Sequence, residues 1–200
     1  LVTFGFIKEN CYLIESDNAR IVVDPGSYSS EVASFLSSAQ NKQRLILLTH
    51  AHFDHIGGAK QLSEETDTQI AIGEHDAFGL SDVDYNLSKR FHANVKPFNA
   101  DLILKDGHFI HLTDFDIEVI ETPGHTLGGV CYKIENNLFS GDTLFFESIG
   151  RVDHPGGDKD ILLESVYKLF QKLDEDTIVY PGHGQTTTIG HEINNNPFFY

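Results

Sequence analysis

Within Thr49-His50-Ala51-His52-Phe53-Asp54-His55-Ile56-Gly57-Gly58, three histidines and an aspartate fall inside six positions. The apolar run Arg44-Leu45-Ile46-Leu47-Leu48 leads into this stretch and has the composition of a strand buried on both faces. Behind it, Ile56, Ala59 and Leu62 are spaced to share one face of a helix. The cluster therefore occupies the turn between a strand's C-terminal end and a helix N-terminus, where ligands collect in open α/β sheets. His50 and His52 are two apart, so an extended segment points both the same way and lets them grip one metal. Asp54 and His55 begin the next turn and aim elsewhere, which leaves room for a second metal beside the first.

The 200 residues fit one domain, 1–200, large enough for a real core. With 40% apolar residues, 15 Phe and 7 Tyr, the chain reads as globular and not disordered. No apolar run approaches membrane-spanning length, and no basic segment followed by a long apolar one opens the chain. It contains no Met, so it is read as starting after the initiator, with room for a short leader. A net charge of −16 argues against nucleic acid and anionic membranes as partners and favours a soluble, acidic, cytoplasmic protein. A cationic metal centre would still attract an anionic small molecule locally. Cys11 and Cys131 lie in strand-like stretches and read as buried, reduced, apolar residues.

Residues 2–6, 11–15 and 20–24 read as strands, with Ser16-Asp17-Asn18 as turn chemistry. Val32, Phe35, Leu36 and Ala39 recur at helical spacing, capped by Ser29 or Ser30. A helix follows the metal turn to about Glu65, and residues 69–72 form another strand. From 73 to 99 the periodicity weakens, and both a lid over the site and a loose surface excursion stay open. Strands at 102–104, 108–112 and 116–121 lead to Thr122-Pro123-Gly124-His125-Thr126, a turn that sets a histidine at a strand end. Residues 130–135 and 138–140 form a hairpin across Asn136-Asn137, closed by Gly141-Asp142-Thr143. Ile161, Leu162, Val166, Leu169, Phe170 and Leu173 make a long apolar helix face, and strand 177–180 ends at Pro181-Gly182-His183-Gly184. Cys11-Tyr12-Leu13-Ile14-Glu15 is echoed by Cys131-Tyr132-Lys133-Ile134-Glu135, each followed by an Asn-containing turn and a strand ending in Asp24 or Asp142.

The His-x-His-x-Asp-His stretch, taken with His125, Asp142 and His183, resembles the signature of the metallo-β-lactamase superfamily. The likeness runs from Asp24-Pro25-Gly26 to Pro181-Gly182-His183-Gly184. It implies an α/β fold, a four-layer αββα sandwich of two mixed β-sheets flanked by helices. It implies that His50, His52 and His125 hold one metal, that Asp54, His55 and His183 hold a second, and that Asp142 bridges them. Asp54 and Asp142 would orient the hydroxide between the metals. Asp24 would lie beneath, where a carboxylate fixes the tautomer of a ligating histidine, with Thr126 in a similar supporting place. The plainer reading of Asp24 is a turn-forming residue before proline. The donors suit two divalent ions, zinc first, with iron or manganese also served by imidazole and carboxylate. His75, His92, His108, His111, His154 and His191 fall in no matched motif; His154 follows Gly150-Arg151-Val152-Asp153, a loop that could line the mouth of the site, but reads first as solvent-exposed.

Ser140-Gly141-Asp142-Thr143-Leu144-Phe145, Ser148-Ile149-Gly150-Arg151-Val152-Asp153 and Asn196-Pro197-Phe198 are similar to the short glyoxalase II-type hydrolases. These resemble hydroxyacylglutathione hydrolase without its C-terminal helical domain. Arg151 occupies the place of the family's basic residue near glutathione, while the aromatic residues expected after it are replaced by Val152 and Asp153. Two cations lower the pKa of a shared water to about 7 or below, and one neutralises the developing oxyanion. A thiolate, from a thiol of pKa about 8.5, leaves without strong acid help, which favours small-molecule thioesters such as S-lactoylglutathione over amides. Two alternatives stand beside this hydrolase reading: a persulfide dioxygenase with one iron on His50, His125 and Asp142, and a metal-binding module without turnover. The Asp54-His55 pair follows the hydrolase style and not that of β-lactamases proper, and the acidic charge speaks against an RNase. Monomer and homodimer both stay open.

Overall fold

The computed structural model describes residues 1–5, 7–38 and 41–199. Its first half runs β1 (Val2–Phe4), β2 (Glu9–Glu15), β3 (Ala19–Val23), α1 (Ser30–Ser37), β4 (Gln43–Leu48), α2 (Phe53–Ile56), α3 (Ala59–Thr66), β5 (Gln69–Gly73) and β6 (Leu102–Leu104). Its second half runs β7 (Phe109–His111), β8 (Asp116–Glu121), β9 (Val130–Ile134), β10 (Asn137–Gly141), β11 (Leu144–Phe145), β12 (Ser148–Ile149), α4 (Lys159–Lys172), β13 (Ile178–Pro181), β14 (Thr187–Thr188) and α5 (Ile189–Asn195). Two six-stranded sheets result, ordered β1-β2-β3-β4-β5-β6 and β14-β13-β10-β9-β8-β7. Both are mixed: β3, β4, β5 and β6 pair in parallel, as do β10 and β13, while the remaining pairs are antiparallel.

The layering follows from the two-residue period of strands. On β3 and β4, Ile21, Val23, Leu45 and Leu47 face the second sheet and meet Val119, Tyr132 and Phe139. Val22, Ile46 and Leu48 point the other way, onto Val32, Leu36 and Leu62 of α1 and α3. Ile120, Cys131, Leu138 and Val179 leave the second sheet's outer face and pack on Leu162, Val166 and Leu169 of α4. Helix, sheet, sheet and helix thus stack as the α/β four-layer sandwich that the family resemblance implies. Among the described residues, no helix is long and apolar enough to cross a membrane.

Several bonds tie the sheets together at the end where the site lies. The Tyr132 hydroxyl donates to the Leu48 carbonyl at 2.7 Å, and the Val130 N–H donates to the Thr49 carbonyl at 2.8 Å. From β2, the Tyr12 hydroxyl and the Asn10 amide donate to the Pro181 carbonyl at 2.7 and 3.0 Å. The Cys11 and Cys131 stretches take equivalent places, each beginning an antiparallel hairpin whose second strand pairs in parallel with the next.

Local expectations need adjusting at four points. The helix after the metal turn is two helices, broken at Gly57-Gly58, where the Gly58 N–H donates to the Pro25 carbonyl at 2.8 Å instead of back along the helix, and where a Cβ at Gly58 would meet the Ser27 carbonyl carbon at 2.4 Å. The β9–β10 turn is Glu135-Asn136, since Asn137 already pairs with Ile134 and Glu135 takes the left-handed φ of 50°. Ile161 sits in the first turn of α4 with its side chain exposed and is not part of the core face. Residues 73–99 are no loose excursion: a 3₁₀ turn spans Glu74–Leu80, and Tyr85, Asn86, Leu87 and Ser88 are buried. Phe6 and Ala39, expected in the first strand and first helix, lie outside the described residues.

Candidate metal centre

Strand ends deliver the site. Asp24 follows β3, and His50 and His52 follow β4. Asp54 and His55 open α2, His125 follows β8, Asp142 follows β10, and His183 follows β13. Parallel strands place their C-terminal ends side by side, so residues more than 150 positions apart in sequence converge by topology alone.

His50, His52 and His125 form the first group, all buried. Nδ1 of His52 stands 3.1 Å from Nε2 of His50 and 2.9 Å from Nε2 of His125. A tetrahedral cation with bonds near 2.05 Å holds its ligand atoms about 3.3 Å apart, so this spacing is close to a coordination face. The outer nitrogens are anchored. His125 Nδ1 donates to the Arg151 carbonyl at 2.7 Å. His50 Nδ1 donates to the Thr49 hydroxyl at 3.0 Å, and that hydroxyl donates on to Asp24 Oδ2 at 2.6 Å. These bonds fix the tautomers and leave both Nε2 lone pairs facing inward. His52 is turned round: Nδ1 faces the group, and its buried Nε2 has no partner.

Asp54, His55 and His183 form the second group. Asp54 Oδ2 lies 3.7 Å from His55 Nε2 and 3.4 Å from His183 Nε2. His55 Nδ1 donates to Asp24 Oδ2 at 2.9 Å, and His183 Nδ1 donates to the Ile7 carbonyl at 3.2 Å. Asp142 stands between the groups. Its Oδ1 is 3.5 Å from His55 Nε2 and 3.7 Å from His183 Nε2, while its Oδ2 is 3.5 Å from His125 Nε2. One carboxylate therefore presents an oxygen to each group. Asp24 supports both, holding His55 directly and His50 through Thr49. Thr126, next to His125 in the chain, is buried, and among the described residues its hydroxyl makes no hydrogen bond to either donor group, so the expected support is not seen.

The electrostatics match a site built for cations. Burial, then the neighbouring imidazoles, hold His50 and His52 well below the usual histidine range, so both are neutral donors. Burial opposes charge on His55 as well, but Asp54, Asp142 and Asp24 outweigh it and push its pKa well up. Burial also disfavours the Asp54 anion, yet His55 and the His183 hydrogen bond hold it below the usual carboxylate range. Asp142 Oδ1 and His55 Nε2 are buried with no hydrogen-bond partner, a costly arrangement that a shared cation relieves. Nitrogen and carboxylate donors in two sets, with one carboxylate between, fit two divalent ions.

Two residues with a bearing on the site, Asp76 and Glu9, were not singled out by sequence pattern, and a third, His154, was read as exposed. Asp76 is fully buried and accepts from the Ala51 N–H at 2.9 Å, the Gly128 N–H at 2.8 Å and the Tyr85 hydroxyl at 2.8 Å. It pins the metal turn, the turn after His125 and the 73–99 segment to one another. Its only sequence signal was an acid just past a buried strand. Glu9 is buried with neither carboxylate oxygen partnered, and burial lifts its pKa to about 10. His154, expected at the surface, is 8% exposed, and its ring meets that of His52 edge-on at 5.7 Å.

A cleft of about 410 Å³ opens onto the groups. One wall comes from the 73–99 segment, where Leu87 and Phe91 line the cleft and Phe91 stacks on Phe53 at 5.0 Å. Arg151 also lines it, but Asp153 already takes its guanidinium in a two-pronged bond, both contacts 2.7 Å. A substrate carboxylate at Arg151 would have to compete with that partner.

Comparison with known proteins agrees with this architecture. The profile of the Metallo-beta-lactamase superfamily matches residues 5–183. Probable metallo-hydrolase YqgX of Bacillus subtilis (strain 168) is 33% identical, over 97% of this chain and 93% of that protein. Hydroxyacylglutathione hydrolase GloC of Haemophilus influenzae is also 33% identical, over 96% of this chain and 92% of its own length. Among solved structures, BLEG-1 B3 metallo-beta-lactamase superposes with a TM-score of 0.89 at 37% identity, covering 99% and 97% of the two chains. TTHA1623 in a di-iron-bound form gives 0.84 at 34% identity, covering 98% of each.

Proposed function

The chain belongs to the metallo-β-lactamase superfamily, and we propose that within it the protein is a metal-dependent hydrolase of small-molecule thioesters, S-lactoylglutathione among them. The observation that carries the hydrolase reading is Asp142, one carboxylate with an oxygen toward each of two donor groups. His50, His52 and His125 would hold one cation, Asp54, His55 and His183 the other, with zinc the first choice and iron, the metal of the TTHA1623 structure, or manganese as alternatives. When bound, such a pair acidifies a shared water and neutralises the oxyanion that forms at the substrate carbonyl.

The chain's own residues supply the rest. Asp54 and Asp142 would orient the attacking hydroxide toward the carbonyl, one of their carboxylate oxygens accepting its remaining hydrogen. Asp24 keeps His55 and, through Thr49, His50 in the tautomers that leave their inner nitrogens free. Phe53, Phe91 and Leu87 line the cleft with apolar surface and limit bulk water around the reacting bond. No protein nucleophile is required, and both cysteines are buried. A thiolate leaves unaided at neutral pH, being the anion of an acid of pKa about 8.5, so this substrate class needs no proton donor at the leaving group. The GloC relative supports the substrate class by its name.

A second reading, β-lactam hydrolysis, is favoured by the likeness to BLEG-1. One substrate panel separates the readings: S-lactoylglutathione, a chromogenic cephalosporin, and glutathione persulfide with oxygen uptake recorded, each with metal-loaded and chelator-stripped protein. Metal-dependent loss of the thioester as the dominant rate supports the proposal. Dominant cephalosporin opening or oxygen uptake replaces it.

A further inference from the structure

Arg90 is exposed, adjoins Phe91 of the cleft wall and reaches His154, which lines the cleft. It lies in the wall segment beside Phe91, whose ring packs on Phe53. Its neighbour Lys89 is paired with Asp84 at 2.8 Å, and across the cleft Arg151 is held by Asp153. Arg90 has no carboxylate partner among the described residues, in a chain with 30 acidic residues to 14 basic ones. Its guanidinium instead approaches His154 Nδ1 at 3.4 Å. A guanidinium carries only donors, so Nδ1 accepts and the proton of the neutral imidazole sits on Nε2. His154 in turn lies edge-on against His52, a residue of the first metal group. The Arg90 guanidinium, which also lies over the Phe91 ring at 5.8 Å, thus stands beside an imidazole that touches His52, with the rings of His154 and His52 between it and the first metal group.

We propose that Arg90, together with His154, receives a carboxylate carried by the substrate, so that the preferred thioesters are anionic ones. This rests on the thioesterase reading and adds the residues that select its anionic substrates. The planar fork of arginine matches a carboxylate in a way that a lysine at this position would not. The protein's overall negative charge would repel such substrates, and a local cationic receptor beside the cleft wall offsets that repulsion.

The test uses calorimetric binding of non-hydrolysable thioethers to the metal-loaded protein. S-propylglutathione carries its carboxylates on the thiol arm, and S-(2-carboxyethyl)-N-acetylcysteamine carries one on the acyl arm. Each is compared with its carboxamide twin. At least one acid should bind about tenfold tighter than its twin, the scale of a charge-assisted hydrogen bond. That ratio should fall toward one in Arg90→Gln and fall less in Arg151→Gln. His154→Gln, which keeps a donor, should retain more of the ratio than His154→Ala. A ratio near one in the unaltered protein, a ratio unchanged in Arg90→Gln, or a larger fall in Arg151→Gln overturns the assignment. Turnover of a neutral N-acetylcysteamine thioester reports separately on the thioesterase reading. An inert protein with an Arg90-dependent ratio would sink that reading alone, and an active one with an Arg90-independent ratio would sink this inference alone.

Discussion

Asp24 Oδ2 stands 2.9 Å from His55 Nδ1, with both side chains almost wholly removed from solvent. The same oxygen accepts from the Thr49 hydroxyl at 2.6 Å, and Oδ1 accepts from the Thr49 N–H at 2.7 Å. Asp24→Asn sets a donor against donors or flips the contact away from one of them. Metal affinity should fall by about 10- to 100-fold, read as metal retained on dialysis against graded chelator. Asp24→Ala leaves three buried donors unpaired and should also cost about 3 kcal/mol or more in stability. Unchanged metal retention in Asp24→Asn would remove the supporting role.

Asp142→Ala deletes the carboxylate that faces both groups. The variant should remain folded, hold fewer than two metals, and turn over thioester at least about 100-fold more slowly. Full activity in this variant would contradict the bridging assignment.

Asp76→Ala strips the acceptor from Ala51, Gly128 and Tyr85. Each buried donor left unpaired costs about 1–3 kcal/mol, so urea unfolding should show a loss of about 3–5 kcal/mol. Tyr85→Phe removes one of the three bonds and should cost about 1 kcal/mol. A loss below about 1 kcal/mol in Asp76→Ala would mean that the metal turn is held by other contacts.

Gly182 has no side chain where one would collide with the site. A Cβ there would lie 2.4 Å from Asp142 Oδ1 and 2.7 Å from His55 Cε1. Gly182→Ala should therefore weaken metal retention by about tenfold or more, although no donor is altered. Retention equal to that of the unaltered protein would show that Asp142 and His55 shift without consequence.

His50, His52, Asp54 and His55 were legible as a cluster because they crowd the turn after a continuous apolar run, whereas His125, Asp142 and His183, each at the end of a strand, were joined to them through the family resemblance. Asp24 was legible as a support only through the family resemblance, since an Asp before Pro is also ordinary turn chemistry. Asp76 and Glu9 were illegible for one reason: an acid in the sequence reads as solvated, and only tertiary burial reveals its partners or their absence. His154 was misplaced because its burial comes from His52 and the 73–99 wall, far away in the chain. That wall lacks periodicity because it is held by hydrogen bonds to Asp76 and Gly79 and not by a repeating apolar face. The break at Gly57-Gly58 was read through as one helix, because the approach of Pro25 and Ser27 that takes the Gly58 N–H and leaves no room for a side chain there comes from a distant part of the chain.

The most direct test of the account is a titration of chelator-stripped protein with zinc, following S-lactoylglutathione hydrolysis at each addition. Turnover should be absent at the start and rise until two equivalents are bound, because Asp142 joins two complete donor groups. Turnover that survives complete stripping, or that reaches its maximum at one equivalent, would contradict it.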